Sequence, residues 1–259
     1  MGIEDLLFRY ALLILGGALA GFINIIAGAG SLLTLPILIG IGMPAPVANG
    51  TNRIAVLLQD LAGTLKFLKK NKLPLQIALK LSVPTVIGAA GGAFLAIGID
   101  ELILNVIIMT LLVLMIIYVI WHPGDWTKGA STGKNEKVDP FTFFLFLIIG
   151  IYAGFIQAAA TLIWFAALMW RMKVDMVAAD AIKIFLNLVM TPVALLIFFL
   201  HHQVSLFDGL ILGAGSFAGG WIGAKAAIRL SPAFVRMLML VVLGGATLYM
   251  LLFKIFHLL

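Results

Sequence analysis

Apolar stretches long enough to cross a bilayer follow one another along almost all of this 259-residue chain. They fall at about 6–42, 46–67, 74–98, 102–121, 141–170, 174–200, 206–228 and 234–256. A spanning helix needs about 20 apolar residues. No water in the hydrocarbon core satisfies backbone N–H and C=O groups, so only helices and closed barrels cross it. Segments of this length are read as spanning helices. Charged residues make up 11% of the chain, against about 25% in a soluble domain. The expected fold class is an all-α polytopic membrane protein of the cell (plasma or inner) membrane, with residues 1–259 forming one transmembrane domain.

Two segments are too long for a single ordinary span. Each is interrupted by small or polar residues, Asn24 to Ser31 (NIIAGAGS) in the first and Gln157 to Thr161 (QAAAT) in the fifth. Both are therefore expected to be broken or hairpin-like. The longest polar stretch, about 122–139, has the Gly, Ser and charge content of a linker. It separates two halves, about 6–121 and 140–257, that repeat one another. Gly21-Phe22-Ile23-Asn24 answers Gly154-Phe155-Ile156-Gln157; Ala48-Asn49 answers Ala179-Asp180; Asn52 answers Lys183. The same register sets Gly88 opposite Gly219 and Gly92 opposite Gly223.

Basic residues test the orientation of the halves, because Lys and Arg concentrate in cytoplasmic loops. If all eight segments simply cross, the loop cations divide ten against five. If the first and fifth segments enter and leave on the same side, only Arg9 and Lys254 stand apart from the other thirteen. The second arrangement fits better and makes the repeats inverted, with about four helical segments each. Discontinuous helices in inverted repeats are a transporter plan, with the substrate held near the midplane.

Two cations lie inside the apolar segments, Arg53 in PVANGTNRIAVLL and Lys183 in AADAIKIFLNLVM. A charge at the bilayer centre costs about 2.5–3.5 kcal/mol on the most lenient scale, so such charges face a pathway or a partner. A planar guanidinium at Arg53 suits two oxygens of an oxyanion. Its structural alternatives are an ion pair with Asp60 or snorkelling to its helix end. Lys183 has Asp180 three residues earlier as a structural partner. Asn49, Thr51, Asn52 and Asn187 supply neutral donors, or cap and cross-link helices. Asn24 and Gln157, at matching places in the two breaks, line a pathway or satisfy freed backbone. Asp60 and Asp180 are candidates for coupling to a proton.

The first-half string GFINIIAGAGSLLTLPILIGIGMPAPVANGTNRIAV resembles the signature of the TauE/SafE sulfite exporter family, also called the TSUP family. The resemblance rests on Gly28, Gly30, Pro36, the Gly-Met-Pro-Ala-Pro loop, Ala48 to Asn52, and the later Gly88, Gly91 and Gly92. The second half departs from it: AGFIQAAATLIWFAAL lacks the glycine cluster and the following proline. The resemblance covers the chain in length and layout. It implies a permease for sulfite or small organosulfonates, with other anions open.

Other chemistry finds little support. With no cysteine, disulfides, iron–sulfur clusters and thiolate zinc sites are excluded. His201-His202 stands at a helix end without further ligands. GAGS lacks the Gly-Lys-Ser/Thr of a phosphate loop, and no catalytic triad or His-Glu-x-x-His is present. Glu4 and Asp5 ahead of the first apolar run are unlike a signal peptide. The net charge of +6 reflects topology, and no basic block of the nucleic-acid type occurs. No enzyme activity, cofactor, metal or nucleic acid is expected. The expected partners are a small anion, such as sulfite or an organosulfonate, and the lipid bilayer; the oligomeric state stays open. The reading is a secondary transporter working by alternating access, with an anion channel or an accessory membrane subunit as alternatives.

Overall fold

The computed structural model describes residues 3–28, 30–121 and 138–226, together with 237, 241, 244, 245 and 248. Most of the expected linker and of the eighth apolar segment lies outside the described residues. Within them the chain is helical throughout: α1 (Ile3–Ala27), α2 (Ser31–Gly40), α3 (Ala45–Lys69), α4 (Leu75–Ile97), α5 (Glu101–Trp121), α6 (Pro140–Phe155), α7 (Ala160–Arg171), α8 (Met176–Leu200) and α9 (Leu206–Ala226). Four of these, in α1, α4, α8 and α9, are long and apolar enough to cross a membrane. The 25-residue α3 is long enough too, but it carries Arg53 and Asp60.

Both overlong segments are broken where the sequence turns small and polar. The first breaks at Gly28, whose φ of 72° is left-handed and is tolerated because glycine has no Cβ. The second breaks between α6 and α7, where Gln157 and Ala159 both take φ near 59°. Each pair of helices then folds back. A Cβ on Gly16 of α1 would meet the Ile37 side chain of α2, and one on Gly30 would meet the Ala20 carbonyl, so α2 retraces α1. In the second hairpin, Arg171 at the end of α7 pairs with Asp139, the N-cap of α6. The Thr142 bonds and the Arg171 guanidinium hold the Asp139 carboxyl below its usual range.

Small residues decide how the hairpins pack against the longer helices. Hypothetical Cβ atoms on Gly17 and Gly21 of α1 would overlap the Leu212 and Ser216 carbonyls of α9; in return Gly215 and Gly219 press on Ile14 and Ala18. The same seam recurs between α4 and α6. Gly150 and Gly154 meet Thr85 and Ala89, while Gly88 and Gly92 meet Leu147 and Ile151. Lipid offers no hydrophobic drive for helix association, so close backbone contact supplies it. The first helix of each half thus packs on the long helix that follows the matching third helix of the other half. Gly88 occupies the place of Gly215, and Gly92 that of Gly219. The spatial match lies one helical turn from the register read in the sequence, because a shift of four residues keeps the same face.

Contact order along the helices fixes their directions. α1 and α9 run parallel, as do α4 and α6. Gly209 lies against Ile54 and Gly213 against Leu58, so α3 runs with α9. By contrast Gly50 meets Phe198 and Gly63 meets Ile184, so α3 and α8 are antiparallel.

Candidate functional site

The tips of the two hairpins meet inside the protein. Thr161 Oγ1, in the first turn of α7, donates to the Gly28 carbonyl at 2.6 Å. Asn24 braces the first tip by accepting from the Gly30 N–H through Oδ1 at 3.1 Å. The junction brings in the N-terminal ends of two half-helices, α2 of 10 residues and α7 of 12. A helix N-terminus carries roughly half an elementary positive charge, and its first N–H groups have no partner within the helix. It is a ready anion site.

A polar chain crosses from α3 to the second tip. Asn187 Nδ2 donates to Asp60 Oδ2 at 2.6 Å. Gln157 Nε2 donates to Asn187 Oδ1 at 2.9 Å and to Thr191 Oγ1 at 3.0 Å. Asp60 Oδ1, Gln157 Oε1 and Asn24 Nδ2 make no hydrogen bond among the described residues, although the Asn24 amide lies close enough to Asp60 to act on it. Lys183 Nζ stands 2.6 Å from Asp180 Oδ1 and 4.9 Å from the centre of the Phe165 ring. Its charge also reaches Asp60. Asn24, Asp60, Gln157, Thr161, Asp180, Lys183, Asn187 and Thr191 are each at most 3% exposed.

Arg53 does something different. Its guanidinium, wholly buried, donates through Nη1 to the Ala153 carbonyl at 3.3 Å and through Nη2 to those of Gly154 (2.5 Å) and Phe155 (3.5 Å). It stacks on Phe198 at 4.6 Å, and Asn49 Nδ2 joins it on the Phe155 carbonyl at 2.9 Å. These carbonyls end α6 and lack intrahelical partners because the helix breaks. Arg53 therefore caps the broken helix of the opposite half. The ion pair with Asp60 on its own helix does not form; Asp60 is held by Asn187 instead.

The remaining expected contacts hold elements together. Thr51 Oγ1 accepts from Ser205 N–H at 2.8 Å. Asn52 donates to Ser31 Oγ at 3.0 Å and accepts from Thr34 Oγ1 at 2.5 Å, fixing the first turn of α2. This Asn52–Thr34 pair spans 18 residues, as does the Lys183–Phe165 pair in the other half. The structure thus gathers Asn24, Gln157, Lys183, Asn187, Asp60 and Asp180 near the hairpin tips. Arg53, Asn49, Thr51 and Asn52 take backbone or hairpin partners, and Arg53 and Lys183 share no partner among the described residues. Thr161 and Thr191 join the cluster without having been singled out. Thr161 ends the QAAAT break, and Thr191 lies one turn beyond Asn187, so spacing carried both signals. His201 Nδ1 meets the Ile197 carbonyl at 2.8 Å, at the end of α8. Among the described residues no three His, Cys, Asp or Glu side chains group as for a metal.

The sequence pattern of the family described as sulfite exporter TauE/SafE matches residues 13–250. The chain belongs to the TauE/SafE family. Its relatives include a probable membrane transporter protein, ORF9, of a Sinorhizobium species, 27% identical over 92% of this chain and 91% of the relative. A probable membrane transporter protein of Haemophilus influenzae is 27% identical over 87% of this chain and 88% of its own. Another, YfcA of Escherichia coli K12, is 26% identical over 91% and 89%. No solved structure matches the chain significantly. This TauE/SafE member is a multi-pass membrane transporter of the cell membrane, and its family and relatives point to transport rather than catalysis.

Proposed function

We propose that this protein is a secondary carrier for a small anion, sulfite or an organosulfonate, working by alternating access. One observation carries the reading: two half-helix N-termini meet at the contact of the hairpin tips, and the buried Lys183 ammonium lies over Phe165, one turn beyond Thr161 on α7. Preorganised donors of this kind suit an oxyanion, whose several oxygens each accept hydrogen bonds. Asp180 keeps Lys183 compensated in the empty state, so an anion competes for the ammonium rather than falling into an irreversible trap. Asn24, Asn187 and Gln157 add neutral polar groups. Arg53, Asn49, Thr51 and Asn52 hold the hairpins and loops around that site. The antiparallel course of α3 and α8, the matching helices of the two halves, supports inverted repeats, and rocking of one half against the other would open the junction to each side in turn. Near-complete burial of the cluster favours a carrier over a standing pore.

The test is uptake of radiolabelled sulfite and isethionate (2-hydroxyethanesulfonate) into liposomes holding the purified protein. Saturable uptake of at least one, well above that of protein-free liposomes, is the expected result. Uptake of neither anion would contradict the proposal.

A further inference from the structure

Resting on the carrier reading, the charges at the junction raise a difficulty that a proton resolves. With both acids ionised, Lys183, Asp180 and Asp60 sum to one negative charge, which repels an anion. Arg53 stands apart from this group: its Nη1 and Nη2 bond the α6 carbonyls, and Lys183, not Arg53, is the cation whose charge acts on Asp60. Neutralising one acid removes that repulsion. Asp180 is the less suited of the two, since the Lys183 ammonium 2.6 Å away favours its charged form. Asp60 has no ion-pair partner among the described residues and keeps Oδ1 unbonded.

The hydrogen-bond chain says what neutralising Asp60 would change. An ionised carboxylate only accepts, so Asn187 presents Nδ2 to it; Asn187 Oδ1 then faces Gln157, which must present Nε2. Gln157 Oε1 is left buried and unbonded at the tip, an acceptor where an anion needs a donor. We infer that Asp60 binds the co-transported proton and that this reverses the chain. The new O–H of Asp60 donates to Asn187 Oδ1, Asn187 Nδ2 donates to Gln157 Oε1, and Gln157 Nε2 swings toward the junction. The site changes from acceptor to donor as its charge rises by one, so a monovalent anion and a proton enter together. On the far side the proton leaves Asp60 for water and the amides turn back, expelling the anion.

The groups around Asp60 are consistent with this role. From α8 the charge of Lys183 acts on it, and Lys183 is itself paired with Asp180. The charged residues of α1 (Glu4, Asp5, Arg9), α5 (Glu101) and α9 (Asp208, Lys225) lie toward the ends of those helices, and α2 has none. On α3 itself Arg53 is capping α6, while Lys66 and Lys69 stack on Trp221.

The experiment is isethionate accumulation in proteoliposomes under an imposed pH difference, with sulfite as a second probe. Isethionate stays anionic at working pH, so any pH effect belongs to the protein. Wild type should accumulate it about tenfold per pH unit, the limit for one proton per anion. Asp60→Asn should carry isethionate only down its own gradient, whereas Asp180→Asn should not mimic this uncoupling. Accumulation by Asp60→Asn that still follows the pH difference overturns the inference. A second readout needs no variant: binding of isethionate to the purified protein should take up about one proton per anion, and no uptake overturns it. Wild type that carries isethionate without accumulating it contradicts the proton inference alone. Wild type that moves neither anion contradicts the carrier reading beneath it.

Discussion

Replacing Lys183 by glutamine is expected to cut anion uptake about 100-fold or more, equivalent to roughly 2.7 kcal/mol or more, and to destabilise the protein. The destabilisation comes from Asp180, which is 3% exposed and would lose the ammonium 2.6 Å away. Removing one partner of a buried ion pair costs about 3–5 kcal/mol, because the other charge is left uncompensated. The two effects separate in the double variant Lys183→Gln/Asp180→Asn. Neutralising both partners should restore most of the thermal stability in detergent, since Asp180 is then no longer a buried carboxylate without its ammonium. Uptake should stay lost, since the ammonium that attracts the anion is still missing. Uptake within about twofold of wild type in the double variant would reduce the Lys183–Asp180 pair to a structural role.

Arg53→Leu is expected to cost a further about 3–5 kcal/mol of stability, comparable to breaking a buried charged interaction, for a different reason. The buried Ala153 and Gly154 carbonyls at the end of α6 would lose the Arg53 donors, while Asn49 Nδ2 would still bond that of Phe155, and unsatisfied buried groups cost about 1–3 kcal/mol each. Arg53→Lys should recover only part of this. An ammonium is a point charge, without the fork that spans neighbouring carbonyls or the flat face that stacks on Phe198. Transport measured on the folded fraction should show KM close to wild type, because Arg53 acts through α6 rather than on the anion. A KM raised about tenfold with stability intact would move Arg53 from capping residue to substrate contact.

Much of this architecture was legible in the residues. Helix lengths followed from the apolar runs, and both hairpin breaks followed from small and polar residues inside runs too long for one span. The Lys183–Asp180 pair could be read from its three-residue spacing alone. Other features depend on helices distant in sequence. Nothing near Arg53 announces that its partners are carbonyls about 100 residues away, and the nearby Asp60 pointed elsewhere. The glycine seams were visible as glycines, but their register was not, because positions four residues apart share a helix face. The tip contact between Gly28 and Thr161 is likewise a product of two hairpins folding back, and local pattern does not encode where tips meet. What remained local in the site was its repetition: Asn24 with Gln157, and Asn52 with Lys183.

Counterflow separates a carrier from a pore. Proteoliposomes preloaded with unlabelled isethionate should take up labelled isethionate several times faster than empty ones, about threefold or more, because a loaded site returns across the membrane more readily than an empty one. The rate should saturate as the external anion rises. Linear uptake that ignores the anion inside would contradict alternating access and identify an open anion pathway instead.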